Sequence, residues 1–580
     1  MGMRRFLVMI SFLFLVTSCT VSPTINPTPF PPSLTSLPEV TSTELPTQTP
    51  TPVASLSPSP QTPTDSPAPG ATPTPQDQQF TVRYHPDDVL YVGDQVSIEV
   101  ISPSGLDVND ADLHVQVDPP GGPSLGSVKF GPWGIAGRYQ ATLLWAWDTK
   151  GQNPGHHTLS FTVKPQGITW TEQVNLLPAS DMPPDEASAH WVSTQTQCCT
   201  VYYITDTASE RDLPELSSTI DAQAQDVTEK MGADFTQPIT ITIVPRLLGN
   251  GGFASTEISV SYLDRNYAST SWAMVVHHEM VHALDGQLGG DFRPTLFVEG
   301  LAVYLTGGHY EPEPLMPRAA ALLPEYLNDY IPLKPLADNF YASQHEIGYL
   351  EAGSLVEYLV DTYGWEAFSS FYRDIHNQQG ESQSDSINNS LQDHFSISLS
   401  QLEQNFLTAL SNQPDTAQWA DNVRLTVDYY ETMRRYQQLL DPSAYFATAW
   451  LLDNKTMRQR GIVADYLRHP HTPTNLALET MLITAGEQMQ AQDYSNETQT
   501  LQLINTVLDG INQSLPDPFA VSPLATSYFS ISDILIQQGY EVQNITISDS
   551  IASTEVTTST GPDLFALNLR LNEDQWSIIP

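Results

Sequence analysis

The sequence predicts a multidomain protein in which a β-sandwich precedes an α+β domain and a mainly helical C-terminal region with a small β end. Three observations predict this. Residues 80–182 carry short apolar runs of period two, divided by turn signals. From residue 187 strand-like runs alternate with segments of helical period, the grammar of mixed α and β structure. Beyond residue 412 helical periods dominate until strand-like pieces close the chain. The length of 580 residues is enough for about three or four ordinary domains. A hydrophobic content of 40% can fill their cores, so the chain as a whole is not a disordered one.

The N-terminal residues bear on the compartment. Arg4 and Arg5 precede an apolar stretch from Phe6 to Val16, of signal-peptide length and too short to span a bilayer. It ends in Val16-Thr17-Ser18-Cys19, which resembles the bacterial lipobox. The resemblance implies a lipoprotein signal peptide over 1–19, diacylation of Cys19, and retention on the extracellular face of the bacterial cell membrane. An ordinary cleaved leader with a chance cysteine is the competing reading. Residues 20–79 are dominated by Pro, Thr and Ser, and Thr49-Pro50-Thr51-Pro52 recurs as Thr72-Pro73-Thr74-Pro75. Such a segment is expected to be a disordered, extended stalk. With 23 basic and 66 acidic residues the formal charge is −43, a field that repels nucleic acid and anionic headgroups. Nucleic acid is therefore excluded as a partner, and membrane contact is expected only through the anchor. There are three cysteines, and Cys198 and Cys199 are neighbours. A disulfide-built scaffold and a thiolate zinc site are excluded, and the adjacent pair is expected to be two buried thiols.

The elements follow in order. Val96-Ser97-Ile98-Glu99-Val100, His114-Val115-Gln116-Val117 and Thr158 to Val163 alternate as strands, separated by Pro119-Pro120-Gly121-Gly122 and Asn153-Pro154-Gly155. The run from Gly137 to Leu143 before Trp147-Asp148-Thr149 resembles bacterial immunoglobulin-like modules, which implies an immunoglobulin-like sandwich over 80–182. It would serve as a spacer, with a ligand-binding module as the competing role. In 187–412 the expected order is strand Cys199 to Ile204, helix Ser209 to Met231, strand Ile239 to Val244 and strand Glu257 to Leu263, then a helix from Trp272. A helical accessory region over 413–515 holds helices at Val423 to Leu440 and Thr472 to Met489, the latter with Thr472 as cap and Pro473 in first position. Residues 516–580 form a small β-containing end, with strands at Glu541 to Asp549 and Leu564 to Leu571. No motif with chemistry occurs there.

The residues that carry chemistry lie on Trp272 to Leu284, which contains no Gly or Pro. His278 and His282 are four apart, so their imidazoles leave one helix face a turn apart and can share one ion. Glu279 projects beside them, where it can hold a water without ligating the metal. His277 points about 100° away from His278 and is not expected to ligate. A third ligand is needed. Glu299 sits among apolar neighbours on a helix opened by Pro294 and Thr295, and a carboxylate there needs a compensating cation, for which zinc is available. Asp285-Gly286 and Gly289-Gly290 supply the bend between the two helices.

His278-Glu279-x-x-His282, followed at this distance by Glu299-Gly300-Leu301-Ala302-x-Tyr304, resembles the gluzincin zinc metallopeptidases of the peptidase MA clan, which include thermolysin and the alanyl aminopeptidase families. The likeness covers about His190 to Asn412. It implies a gluzincin catalytic domain over 187–412, one Zn2+ held by His278, His282 and Glu299, Glu279 as general base, and a peptide or protein substrate. Leu288 and Asp285 stand where the metzincin pattern has His and Gly, so that subclass is excluded. The stretch Ile347 to Leu359 with Tyr363-Gly364 resembles the helix after the site in aminopeptidase-like gluzincins, which implies that Tyr349 stabilises the oxyanion; Tyr341 and His345 are rivals. The aminopeptidase signature Gly-x-Met-Glu-Asn is absent, and Gly252 to Glu257 in its vicinity matches poorly. Endopeptidase and aminopeptidase action therefore both stay open. The strand Glu257 to Leu263 is expected to be an edge on which substrate pairs. Asp285 either orients a ligand imidazole or is a solvated helix-end carboxylate. A reading from another class is a lipid-anchored surface binding or adhesion protein that uses an inactive gluzincin scaffold.

Overall fold

The computed structural model describes residues 79–579 other than 88, 134–137, 248, 250, 264, 415, 443, 445–452, 559, 560 and 574. The expected leader, the expected acylation site Cys19 and the expected stalk as far as residue 78 lie outside the described residues. The described chain has a sheet-rich N-terminal region followed by a helical C-terminal region.

Residues 81–177 form two sheets. One runs in the order Thr81–His85, Gln95–Ile101, Arg138–Asp148, Gly131–Trp133. The other runs Leu90–Tyr91, Ile168–Leu177, Gly155–Lys164, Asp112–Val117, Ser124–Lys129. Period-two alternation turns Leu113, Val115 and Val117 inward from one strand and Leu159, Phe161 and Val163 from its antiparallel neighbour. These meet Val96, Ile98, Val100 and Trp147 of the first sheet in one apolar cluster.

The next sheet has the order Trp191–Gln195, Cys199–Ile204, Ile239–Val244, Ile258–Ser261, Gly252–Ala254. Its three middle strands are parallel and the outer two antiparallel. The crossover between the first two parallel strands is the helix Leu213–Met231, which buries Leu216, Ile220, Ala224, Val227 and Met231 at helical spacing and ends at Gly232 in the left-handed region. Two expectations are corrected here. The strand expected at Glu257 to Leu263 is Ile258–Ser261, and it lies inside the sheet; the edge is Gly252–Ala254, a hairpin partner that folds back along it. All four residues of Ile258–Ser261 are buried, which an edge position would not provide. Cys198 and Cys199 are joined as a disulfide and are not free thiols. Cys198 stands in the tight turn and Cys199 opens the strand; Thr196 N–H bonds the Cys199 carbonyl and Asp221 accepts from the backbone of Gln197 and Cys198.

The helix Trp272–Leu288 follows, and a bend through Gly289 and Gly290, both at positive φ, returns the chain as the helix Thr295–Thr306. The long helix His345–Tyr363 crosses the latter closely. A β-carbon on Gly300 would lie 2.5 Å from the Ala352 carbonyl oxygen, and one on Gly353 would lie 2.5 Å from Val303 Cγ1. The C-terminal region contains the helices Thr416–Leu440, Pro473–Gln490, Tyr494–Asn512 and Pro523–Gln537. Thr472 caps the second of them in a capping box with Asn475. An antiparallel four-stranded meander over Tyr540–Ser548, Ile551–Thr558, Gly561–Asn572 and Gln575–Ile578 closes the chain. Among the described residues no helix is long and apolar enough to cross a membrane.

Candidate active site

The helix Trp272–Leu288 is buried on most of its surface, including His277, His278, Glu279 and Asp285. The four-residue spacing puts the Nε2 atoms of His278 and His282 3.0 Å apart, with their rings at 86°. The partner helix brings Glu299 Oε2 to 3.4 Å from His278 Nε2 and 3.2 Å from His282 Nε2. One ligand atom from each of the three lies within 4.8 Å of the others. Both Nδ1 atoms are buried without a hydrogen-bond partner.

Burial holds the His278 imidazole below its ordinary pKa. Burial opposes charge on His282 too, yet the attraction of Glu299, with Glu279 and Asp285 behind it, carries its pKa up to about 9. Burial alone would raise Glu299, but His282 and His278 hold its carboxyl well below the usual range. The buried Glu299 carboxylate needs a compensating positive charge close by. Two imidazole nitrogens and one carboxylate oxygen converging at the floor of a cleft are the donor set of a catalytic zinc with an open fourth position. The residues fit that ion.

Glu279 lies beside the triad. Burial, with the negative charge of Glu299 assisting, pushes its pKa up to about 7, while His282 and the Ala254 N–H pull the other way. Its carboxyl packs against the edge strand so closely that a β-carbon on Gly252 would lie 2.7 Å from Cγ and 2.8 Å from Oε1. Glycine at 252 therefore lets the Glu279 carboxyl lie where it does. The sequence read this segment as a poor signature match and missed its role as a wall of the site.

The three candidate oxyanion donors occupy different situations. Tyr341 donates its hydroxyl proton to Glu299 Oε1 at 2.6 Å, so it serves a proposed ligand. Tyr349 is buried, its ring 6.3 Å from that of His278. Burial and the charge of Glu299 hold its phenol well above the ordinary value, so it remains a donor at neutral pH. His345 packs beside Tyr349 at 4.5 Å. His309, which carried no signal beyond the preceding Gly307-Gly308 turn, stacks flat on Tyr349 at 4.0 Å and has a buried Nδ1 without a partner. Burial keeps it neutral.

Asp285 is neither solvated nor placed on a ligand imidazole. It is 1% exposed and takes Arg293 Nη1 at 2.7 Å, Arg373 Nη2 at 2.6 Å and the Tyr372 hydroxyl at 2.9 Å. Those partners come from the bend and from the helix Trp365–Arg373, which folds over the helix end. His277 faces away, bonded to Asp226 at 2.8 Å and Thr306 at 2.9 Å. Leu288 is 42% exposed at the helix end.

A cleft of about 790 Å³ opens on the triad. One wall is a single stripe of the motif helix: Val275, His278, Glu279, His282, Ala283, Gly286 and Gln287. The edge strand, Tyr310, Tyr341 and Tyr349 contribute the others.

No family model matches the chain, and no curated protein matches it. Among solved structures, an aminopeptidase N family protein from Idiomarina loihiensis aligns at 10% identity over 57% of this chain and 76% of its own, with a TM-score of 0.27. A likeness that slight carries no argument about this chain's activity.

Proposed function

We propose that the protein is a zinc-dependent peptidase of the gluzincin kind, hydrolysing peptide bonds at the outer cell surface with Glu279 as its base. The observation that carries this reading is the convergence of His278, His282 and Glu299 ligand atoms within 4.8 Å, with the buried carboxyl of Glu279 beside them. One Zn2+ held by those three residues would act as a Lewis acid on a carbonyl and make water more acidic. Glu279 takes a proton from the attacking water at its carboxylate and delivers it to the leaving nitrogen. The water oxygen bonds the carbonyl carbon as the C–N bond breaks, so one water is consumed per cut. Tyr349, protonated and lining the cleft, donates to the oxygen that gains charge. Tyr341 holds the Glu299 carboxylate by its outer oxygen. An immunoglobulin-like role for residues 80–182 and anchoring through an acylated Cys19 belong to the same proposal and rest on the sequence.

The experiment measures metal content and casein hydrolysis together. Glu279→Gln is expected to keep its zinc and lose about a hundredfold or more in rate. Glu299→Ala is expected to lose the zinc as well. Pure protein without zinc, or activity indifferent to Glu279→Gln, would support an inactive scaffold used for surface binding.

A further inference from the structure

We infer that the cleft takes an extended internal segment of polypeptide and cuts it between residues, without engaging a free terminus; this rests on the hydrolytic reading above. The first argument is the length of the wall. The lining stripe runs from Val275 to Gln287, about 18 Å of helix at 1.5 Å per residue. Glu279 lies inside that stripe, so the cleft continues past the base in both directions. At about 3.3 Å per residue of extended chain there is room for one or two residues on one side and three or four on the other. A site that trims single residues must instead close just beyond the reacting carbonyl.

The second argument is charge. Holding an α-ammonium group requires a carboxylate with no other partner, and holding an α-carboxylate requires an unpaired cation. Among the described residues the acids lining the cleft are Glu257, Glu279 and Glu299. Glu257 gives one oxygen to Arg458 Nη1 at 3.0 Å and the other to Nη2 at 2.7 Å. Glu299 is taken by two imidazoles and Tyr341, and on the hydrolytic reading Glu279 serves the attacking water. The cations are committed as well. Arg434 makes a two-pronged pair with Glu346 at 2.8 and 2.9 Å, and Arg293 is held by Asp285. A terminus would have to compete with one of these pairs for its charge. A neutral backbone segment has no such demand. The strand Gly252–Ala254, bonded to Ile258–Ser261 on one side, offers to that backbone the part of its other edge beyond the Ala254 N–H, which faces Glu279.

The test uses the full chain loaded with Zn2+ and a degenerate library of roughly ten-residue peptides, long enough to overrun the cleft. The library is made once with free termini and once N-acetylated and C-amidated. Products are read by mass spectrometry, and affinity is read by fluorescence anisotropy on Glu279→Gln. Cuts inside both libraries are expected, with kcat/KM and Kd within about threefold of each other. A loss of about a hundredfold or more on capping, in rate or affinity, overturns the inference and leaves the hydrolytic reading standing. Stepwise release of single residues from the free ends does the same. Turnover of neither library overturns both.

Discussion

At Gly252 one absent methyl group decides where the base can sit. A β-carbon there would lie 2.7 Å from Glu279 Cγ, and the atom it meets belongs to a side chain that can swing away. Gly252→Ala is therefore expected to move the base with little cost to the fold. The melting temperature should stay within a few degrees, while kcat/KM falls by about a hundredfold, the usual penalty for displacing a reacting group by an ångström. Peptide hydrolysis and a thermal melt on the same preparation check both halves. The two phenols at the site separate by a similar contrast. Tyr341 bonds Glu299 directly, so Tyr341→Phe is expected to weaken zinc binding by about 10- to 100-fold, measured against a competing chelator. Tyr349→Phe should leave zinc affinity unchanged and lower kcat by about a hundredfold. If the two variants exchange these phenotypes, the roles assigned to the phenols are reversed.

At the scale of elements, the triad depends on how closely Thr295–Thr306 meets His345–Tyr363. Gly300 follows Glu299 directly, and its missing side chain lets the Ala352 carbonyl approach to where a β-carbon would stand 2.5 Å away. Here the obstacle is backbone, which cannot rotate aside. Gly300→Ala should force the helices apart and destabilise the protein by about 1–3 kcal/mol. That exceeds the roughly 1 kcal/mol that alanine gains over glycine within a helix. Glu299 would move with its helix, so zinc content should fall together with the urea midpoint. This level of structure shows how far the sequence could be read. The face shared by His278 and His282, with Glu279 beside it, was legible because helical spacing is local, and so was Thr472, whose cap needs only Asn475 three residues on; Glu299, on the next helix, was read from its apolar neighbours and from the family resemblance. The edge strand was not. Gly252–Ala254 is three residues long, too short for a period to register, and it is set by a hairpin with Ile258–Ser261. Asp285 was misread because a helix-end aspartate looks solvated until Tyr372 and Arg373 arrive from almost ninety positions further on. His309 had no local pattern at all; its stacking on Tyr349 is a purely tertiary fact.

Across the whole molecule, the two-sheet domain is bound to the C-terminal region by buried polar contacts, which a mere spacer would not need. Arg468 pairs with Asp94 and sits over the Tyr91 ring at 4.6 Å. Trp145 reaches from the Arg138–Asp148 strand to donate its indole N–H to Asp465 Oδ2 at 3.0 Å. The other oxygen of Asp465 is buried with no hydrogen-bond partner. Burial pushes this carboxyl up to about 6; Asp94 adds to the shift, and Trp145, His85 and Arg468 oppose it. In the unfolded chain the group titrates near 3.9. Between those values the folded state holds a proton that the unfolded state has released, so stability falls as pH rises through the window and levels off above it. A shift of about two units corresponds to roughly 3 kcal/mol, which is an upper bound because the interface can relax. Asp465→Asn keeps an oxygen for Trp145 and carries no charge at any pH. Urea unfolding at pH 4.5 and pH 7.5 is expected to show the wild type losing roughly 1–3 kcal/mol more than the variant across that interval, after allowance for the groups common to both. Parallel pH profiles for the two proteins would mean that Asp465 is ionised and accommodated at the interface throughout.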